Sequence, residues 1–464
     1  MQRARGASKQ ASTDYECPLS NSALVDKDQA HMIHPLHHNP AHVNAKVWVK
    51  AEGSHLIDAD GNRYIDGLSC LWNVSCGHGR QPLIDAASRQ MQQMAFCSSY
   101  NGSSNPPAIE LAERLADICY PQINNFYFTS GGGESTDSNF KLARYYWKAK
   151  GKPDKIKVIS RIWGYHGVTF AAMCATGIAG YWPSFEPRIP GFSHIPAPDP
   201  YHYPMPEDGS SQGIAAANEL EREILKQGPE TVAMFIAEPV IGAGGVIVPP
   251  ADYFPRIREI CDRYEVLLVA DEVITGFGRT GKMFALEHFG VQPDLVQFAK
   301  SITSGYLPLG GIGISDEIAA VVRASDKPWM HAYTYSGHPT TCAVGLATLD
   351  YIESENLVAR AADKGAYLLE KLQRELADHP HDGDVRGLGM MCGVELVEDK
   401  AGKSWYSPEW GVGPKMSKAL IDNGIFTRMR SEVVCIAPPL TTDQATLDEL
   451  VAGIRNAIAT VFGE

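Results

Sequence analysis

Lys300 stands where the apolar run Leu295-Val296-Gln297-Phe298-Ala299 gives way to the polar, glycine-containing stretch Ser301–Gly305. In an open α/β sheet, ligands sit outside the carboxyl ends of the strands. A lysine held there among apolar neighbours loses hydration, so its pKa falls and its amine becomes usable as a nucleophile. The plain alternative is a strand-end lysine whose ammonium escapes to water past its apolar stem. Three further features bear on that choice. The run Val266-Leu267-Leu268-Val269-Ala270 ends on the carboxylate of Asp271. Trp163-Gly164-Tyr165-His166-Gly167 follows the strand Ile156–Ser160 and sets ring side chains between glycines, where they can lie over a flat ligand. The strand Asn125–Thr129 runs into Ser130-Gly131-Gly132-Gly133-Glu134-Ser135, ahead of a helix expected over Thr136–Lys150. Bare backbone N–H groups at such a helix start favour a phosphate by geometry and dipole. No Gly-Lys-Ser/Thr follows, so this is not a P-loop, and it is not GxGxxG either.

A phosphate cradle, a stacking ring, an acid and an amine thus fall on one edge of one sheet. One cofactor uses all four: pyridoxal 5′-phosphate, bound through a lysine with an acid on its pyridine nitrogen. In this reading Lys300 supplies the amine. Asp271 keeps the ring nitrogen protonated through a charge-assisted hydrogen bond, worth about 1.5–3 kcal/mol in ordinary settings. Val273 presses the ring face opposite Tyr165.

The elements that must position these residues read as follows. Val47–Val49 and His55–Asp66, with Asp60-Gly61 at a turn, form a hairpin signature. Gly67–Arg80 is glycine-punctuated and carries Trp72, either a core tryptophan under a loop or a pocket wall. From about residue 105 helices and buried strands alternate. A helix is expected over Pro106–Tyr120, another over Gly213–Lys226, a strand over Val232–Ala237 closed by Glu238, and a helix over Tyr253–Tyr264. Residues 181–211 read as an irregular excursion. These repeated βα units make an α/β fold with a mostly parallel sheet flanked by helices. Further on, helices are expected over Cys342–Ser354 and Leu357–Ala377, one strand over Val385–Leu396, a hairpin-like pair over Ile425–Pro438, and a final amphipathic helix with apolar residues from Leu447 to Val461.

Length and composition bound the rest. The 464 residues exceed one ordinary core. We divide them into an arm with part of a smaller domain (1–75), a large cofactor-binding domain (76–340) and a C-terminal small α+β domain (341–464). The formal net charge of −13, from 41 basic and 54 acidic residues, argues against a nucleic-acid surface. Thr231–Pro250, the most apolar segment, is interrupted by Glu238, so no membrane span is expected. Ten cysteines without a CxxC pair indicate neither a zinc ribbon nor a disulfide framework, and reduced thiols of the cytoplasm are the default. Residues 1–45 read as irregular. Their five histidines, His31, His34, His37, His38 and His42, are kept from a common face by Pro35 and Pro40, so no metal site is expected. The acid-free start MQRARGASKQAST lacks the apolar centre of a secretory signal and reads as a disordered N-terminus.

Taken together, the motifs resemble one family, the class III aminotransferases of pyridoxal-phosphate fold type I, and within it the omega-amine:pyruvate transaminases. The resemblance runs from about residue 45 to the C-terminus. It is carried by Thr129–Glu134, Gly164–Gly167, Ala237–Gly245, Ala270–Gly281, Ala299–Gly311 and Tyr333–Pro339. It implies Lys300 as the Schiff-base lysine and proton shuttle, Asp271 on the pyridine nitrogen, and Tyr165 and Val273 on either ring face. It implies Gly132 and Gly133 as the phosphate loop, with His166 and Glu238 among the cofactor contacts. Tyr333 and Thr334 are similar to a segment reaching the phosphate of a neighbouring subunit, which implies a homodimer with shared sites. Trp72 is placed in the substrate pocket, and Arg428 matches a mobile arginine that clamps the keto acid's carboxylate. Three positions depart from the pattern: Gly133 stands where a hydroxyl is common, Ile241 where relatives using glutamate carry glutamine, and Phe96–Tyr100 is small and polar where aromatics are frequent. The implied activity moves an amino group from an amine or omega-amino acid to a keto acid, with pyruvate favoured. The rivals are an aminomutase, a decarboxylase or, from another class, a nucleotide-dependent oxidoreductase using Gly131–Gly133.

Overall fold

Alternating apolar residues around Asp60-Gly61 fold as their pattern implies. Strands β1 (Trp48–Glu52), β2 (His55–Asp58) and β3 (Arg63–Asp66) form an antiparallel meander, with Leu56 opposite Tyr64. Gly61 takes the left-handed conformation, φ +83°, that this turn needs. The structure is a computed structural model and describes residues 19–36, 45–100 and 102–463. Ahead of the meander it corrects the expectation of irregular chain, because Asn21–His31 is a helix whose Ser20 Oγ accepts from Ala23 N. A serine in that capping position was the available signal. His37, His38, His42 and the basic start lie outside the described residues.

The central sheet holds β4 (Ile123–Thr129), β5 (Lys157–Arg161), β6 (Phe192–Ile195), β7 (Val232–Ala237), β8 (Leu267–Asp271), β9 (Leu295–Phe298) and β10 (Gly310–Ser315), in the order β4-β10-β9-β8-β7-β5-β6. Neighbours from β9 across to β6 run parallel, and β10 alone is antiparallel to its partners β9 and β4. Successive residues of β8 face opposite layers. Leu267 and Val269 share a cluster with Tyr146 and Trp147, while Leu268 and Ala270 share one with Ile257 and Ile260. A strand covered on both faces has no polar side to show, hence the unbroken apolar runs. Each large aliphatic side chain so buried contributes about 1.5–3 kcal/mol. β6 lies inside the stretch read as irregular; four residues including Ser193 and His194 gave it no apolar signature.

Beyond the sheet come β11 (Asp382–Gly387), β12 (Cys392–Leu396), β13 (Ile425–Phe426), β14 (Arg428–Arg430) and β15 (Val433–Ile436). The single strand expected over Val385–Leu396 is in fact the hairpin β11–β12, which turns through Gly389 at φ +58°. β13 pairs in parallel with β3, so the two ends of the chain share one sheet. Two residues later β14 pairs with β15 in another sheet. Arg428 therefore sits where the chain passes between sheets. The final helix, Gln444–Phe462, buries Leu447, Leu450, Val451, Ile454 and Ile458 as its apolar stripe implies. Among the described residues no helix is long and apolar enough to cross a membrane.

Candidate active site

β9 ends at Phe298, and after an extended Ala299 the chain enters a 3-10 turn at Lys300. Lys300 has φ +51°, a left-handed conformation that costs a non-glycine residue on the order of 1–3 kcal/mol unless its surroundings hold it. Here Gly305 N donates to Lys300 O (3.3 Å) and Ser304 N to Ser301 O (3.0 Å). The side chain lines a cavity of about 210 Å³ at the carboxyl ends of the parallel strands. Desolvation pulls its pKa from 10.5 to about 8, Asp271 and Glu238 pull the other way, and the charge of Arg428 lowers it further. A depressed pKa alone does not mark a site. Lys155 is also brought to about 8 by burial. Its Nζ lies 2.8–3.2 Å from the carbonyls of Pro229, Val232, Tyr264 and Glu265, and it does not line the Lys300 cavity. Geometry separates the two lysines.

Asp271, the last residue of β8, is buried in the same cavity wall. Its Oδ2 accepts from His166 Nδ1 (2.7 Å) and its Oδ1 from Val273 N (3.1 Å), which fixes the carboxylate's plane. Glu238 follows the adjacent strand β7 and accepts from Tyr165 N (3.0 Å) and Gly242 N (2.9 Å). Burial first, and then the nearby Asp271 charge, raise its pKa. Two carboxylates and a histidine therefore share a buried wall, with Glu238 also holding the loop that carries Tyr165.

The helix expected from Thr136 begins four residues earlier, spanning Gly132–Ala149. Gly132 and Gly133 thus form its first turn, where N–H groups have no helical partner and an anion is favoured. Both line the cavity. A Cβ on Gly132 would stand 3.2 Å from Val273 Cγ1, so the glycine keeps this wall open. Gly167, at φ +123°, approaches so closely that a Cβ there would lie 2.8 Å from Gly133 Cα. Tyr165 and Val273 also line the cavity, and burial raises the Tyr165 phenol pKa.

Other expected residues fall elsewhere. Trp72 does not reach the cavity wall: it is buried with Leu68, Val240, Val246 and Met391, behind Ile274, which does. Tyr333 lies outside the chain's own cavity and donates to Glu134 O (3.3 Å), while Thr334 is exposed. Arg428 is half-buried on β14, within electrostatic reach of Lys300 and Tyr165. Its strand neighbour Arg430 is engaged over the Trp163 ring at 3.6 Å. Gln297 and Thr169 line the cavity and were not singled out from the sequence. Gln297 donates from Nε2 to Thr136 Oγ1 (2.8 Å) and accepts from Asn139 Nδ2 (3.0 Å). A single amide in an otherwise apolar strand was its signal.

The cavity fits pyridoxal 5′-phosphate on its own chemistry: an amine near pKa 8, a buried oriented carboxylate, a glycine cradle that side chains would fill, and His166 Nε2 buried without a partner among the described residues. The comparisons agree. The family model Aminotransferase class-III matches residues 37–458. The chain is 40% identical to the putrescine–pyruvate aminotransferase of Pseudomonas aeruginosa, over 89% of this chain and 90% of that protein. It is 38% identical to the diaminobutyrate–2-oxoglutarate transaminase of Halomonas elongata, over 94% and 96%. Among solved structures, an (S)-enantioselective omega-transaminase from Thermomicrobium roseum superposes with a TM-score of 0.92 at 46% identity, covering 96% of this chain and 99% of the other. The omega-transaminase of Pseudomonas jessenii in complex with PMP gives 0.90 at 37% identity, covering 95% and 98%. Fold, cavity and relatives leave no room for the nucleotide-dependent oxidoreductase reading: the chain belongs to the class III aminotransferases and is a pyridoxal-phosphate-dependent transaminase.

Proposed function

We propose that this transaminase takes an amino group from an amine or omega-amino acid and passes it to pyruvate, in two half-reactions through one site. The observation that carries the reading is the Lys300 amine, brought to about pKa 8 in a cavity it shares with Asp271. When bound, the cofactor supplies an aldehyde for amines to condense with and a ring that accepts electrons. The chain's residues do the rest. Lys300 Nζ would hold the cofactor and, when free, would take up and return the substrate's proton, a task suited to a base whose pKa lies near neutrality. Asp271, oriented by His166 and Val273 N, holds the ring-nitrogen proton. Tyr165 and Val273 confine the ring, Gly132 and Gly133 receive the phosphate, and Glu238 braces the Tyr165 loop.

Arg428 receives the carboxylate of the keto acid, because a guanidinium meets a carboxylate with two parallel hydrogen bonds. Two points support pyruvate: the relative named for it, and the family resemblance, in which a glutamine is common in glutamate-using members at the position of Ile241, here an aliphatic residue buried with Ala197 and Ile247. Tyr333 and Thr334, outside their own chain's cavity, serve the cavity of a second copy, so the working unit is a homodimer. Trp72 acts on substrate through the wall it backs. The division into arm, large domain and small domain rests on the pairing of β3 with β13. A cytoplasmic setting is supported by nine free cysteines among the described residues.

A panel of amine donors with pyruvate as sole acceptor, read by alanine formation, tests this. Alanine formed stoichiometrically with loss of donor amine is expected. No alanine with any donor, alongside pyruvate-independent conversion of an amino acid, overturns it in favour of the aminomutase or decarboxylase chemistry.

A further inference from the structure

The loop that follows β3 passes through three residues of positive φ, Ser69 (φ +48°), Cys70 (+56°) and Trp72 (+65°). This strained path folds the loop back over its own start, and it brings together side chains four and twelve residues apart. Asp66 Oδ2, Cys70 Sγ and His78 Nε2 all lie within 4.8 Å of one another. His78 Nε2 is 2.8 Å from Asp66 Oδ2 and 3.8 Å from Cys70 Sγ. The carboxylate is oriented by its backbone: Cys70 N donates to both oxygens (2.8 and 2.9 Å), and Leu68 N donates to Oδ1 (3.3 Å). Asp66 is buried, whereas Cys70 and His78 keep partial access to solvent.

Thiolate, imidazole and carboxylate are the ligands zinc takes. With metal–ligand lengths of about 2.3 Å to sulfur and about 2.0–2.2 Å to nitrogen and oxygen, a tetrahedral site has a sulfur–nitrogen edge of about 3.6 Å and a nitrogen–oxygen edge of about 3.3 Å. The sulfur–nitrogen edge is already close to that value. The nitrogen–oxygen edge must open by about 0.5 Å once the shared proton leaves. A divalent ion would balance one thiolate and one carboxylate, and the buried Arg279 guanidinium that faces Asp66 would keep its single positive charge beside the site.

We propose that Asp66, Cys70 and His78 form a binding site for a zinc-class divalent cation, with three protein ligands and a fourth position open to solvent or a small ligand. Binding replaces three waters of the ion with metal–sulfur, metal–nitrogen and metal–oxygen bonds; the thiol proton goes to water, the proton shared by Asp66 and His78 Nε2 moves to His78 Nδ1 so that the imidazole stays neutral, and no electron is transferred. The site belongs to a loop tied to the catalytic turn, since Cys76 N donates to Ser304 Oγ (2.9 Å), four residues past Lys300. An occupied site would clamp that loop. Without a metal, the same three groups are a hydrogen-bonded loop brace.

Cobalt is the probe, because a thiolate ligand gives it a charge-transfer band that imidazole and carboxylate do not. The reduced, chelator-treated holoenzyme is titrated with Co²⁺ and followed by difference spectra. The expected result is a thiolate-to-cobalt band that saturates at one ion per chain and is displaced by Zn²⁺. Cys70→Gly and His78→Asn should each lose the band while retaining bound pyridoxal phosphate. Glycine suits the +56° backbone of residue 70, so that variant is expected to fold. Absence of the band in the unaltered enzyme overturns the proposal. So does a band that survives both substitutions, which would place the metal elsewhere.

Discussion

Replacing Arg428 with alanine separates the two halves of the proposed exchange. One cavity must receive a carboxylate in the acceptor half and an uncharged group in the donor half. A rigid, buried guanidinium would be left unpaired in the second case at a cost of several kcal/mol. Arg428 instead sits on the short strand β14, half-buried, just past the point where the chain changes sheets. Arg430 is engaged over Trp163, and Arg386 pairs with Glu395 (2.6 Å) and Asp384 (2.8 Å), so neither substitutes for it. Losing a charged hydrogen bond costs roughly 1.5–3 kcal/mol, or about tenfold to 150-fold in affinity. The apparent KM for pyruvate should rise by that factor in Arg428→Ala. Stopped-flow traces of the donor half-reaction with an uncharged amine should change little. A second readout comes from Lys300, whose pKa the Arg428 charge lowers. Without that charge the amine titrates higher, so the acid limb of the acceptor half-reaction should move to higher pH. Equal impairment of both halves with an unmoved acid limb would refute the reasoning and make Arg428 a structural residue.

Asp271→Asn should retain the cofactor yet slow single-turnover deamination on the order of 10²–10³-fold, because an amide cannot hold the ring-nitrogen proton as a carboxylate does; a near-normal rate with full cofactor occupancy would give Asp271 another role. Lys300→Met, compared with the unaltered chain in cofactor-free form, should be more stable to heat at pH 7. The folded amine titrates at about 8 and the unfolded one at 10.5, so below pH 8 the buried charge costs up to about 3 kcal/mol. Between pH 8 and 10.5 the unfolded chain holds more protons, the unaltered protein gains stability, and the variant's advantage should shrink; a constant difference across that window would mean that the amine is not desolvated.

Much of the site was legible because strand ends mark it. Lys300, Asp271 and Glu238 each follow an apolar run, and a charged residue in that place has few other reasons to be there. Tyr165 and His166 follow from the glycines beside them. What escaped reading depended on contacts distant in sequence. Gln297 is a cavity residue only because Thr136 and Asn139 hold its amide. The helix start at Gly132 escaped because glycine is a poor helix former, yet here the cavity requires it. Trp72 could not be assigned from its glycine-rich neighbourhood, since pocket wall and core look alike until Ile274 is seen in front of it. The strand expected over Val385–Leu396 contained its own turn at Gly389, which one-dimensional periodicity averages away.

The claim on which the rest depends is that Lys300 is the amine holding the cofactor. Borohydride reduction of the yellow holoenzyme, followed by proteolysis and peptide mapping, tests it directly. The reduced label should appear on the peptide containing Lys300, one label per chain, with loss of all activity. Lys155 is the natural control, because burial brings it to the same pKa of about 8 in a cage of carbonyls. Label on Lys155, or on any lysine other than Lys300, would contradict the account.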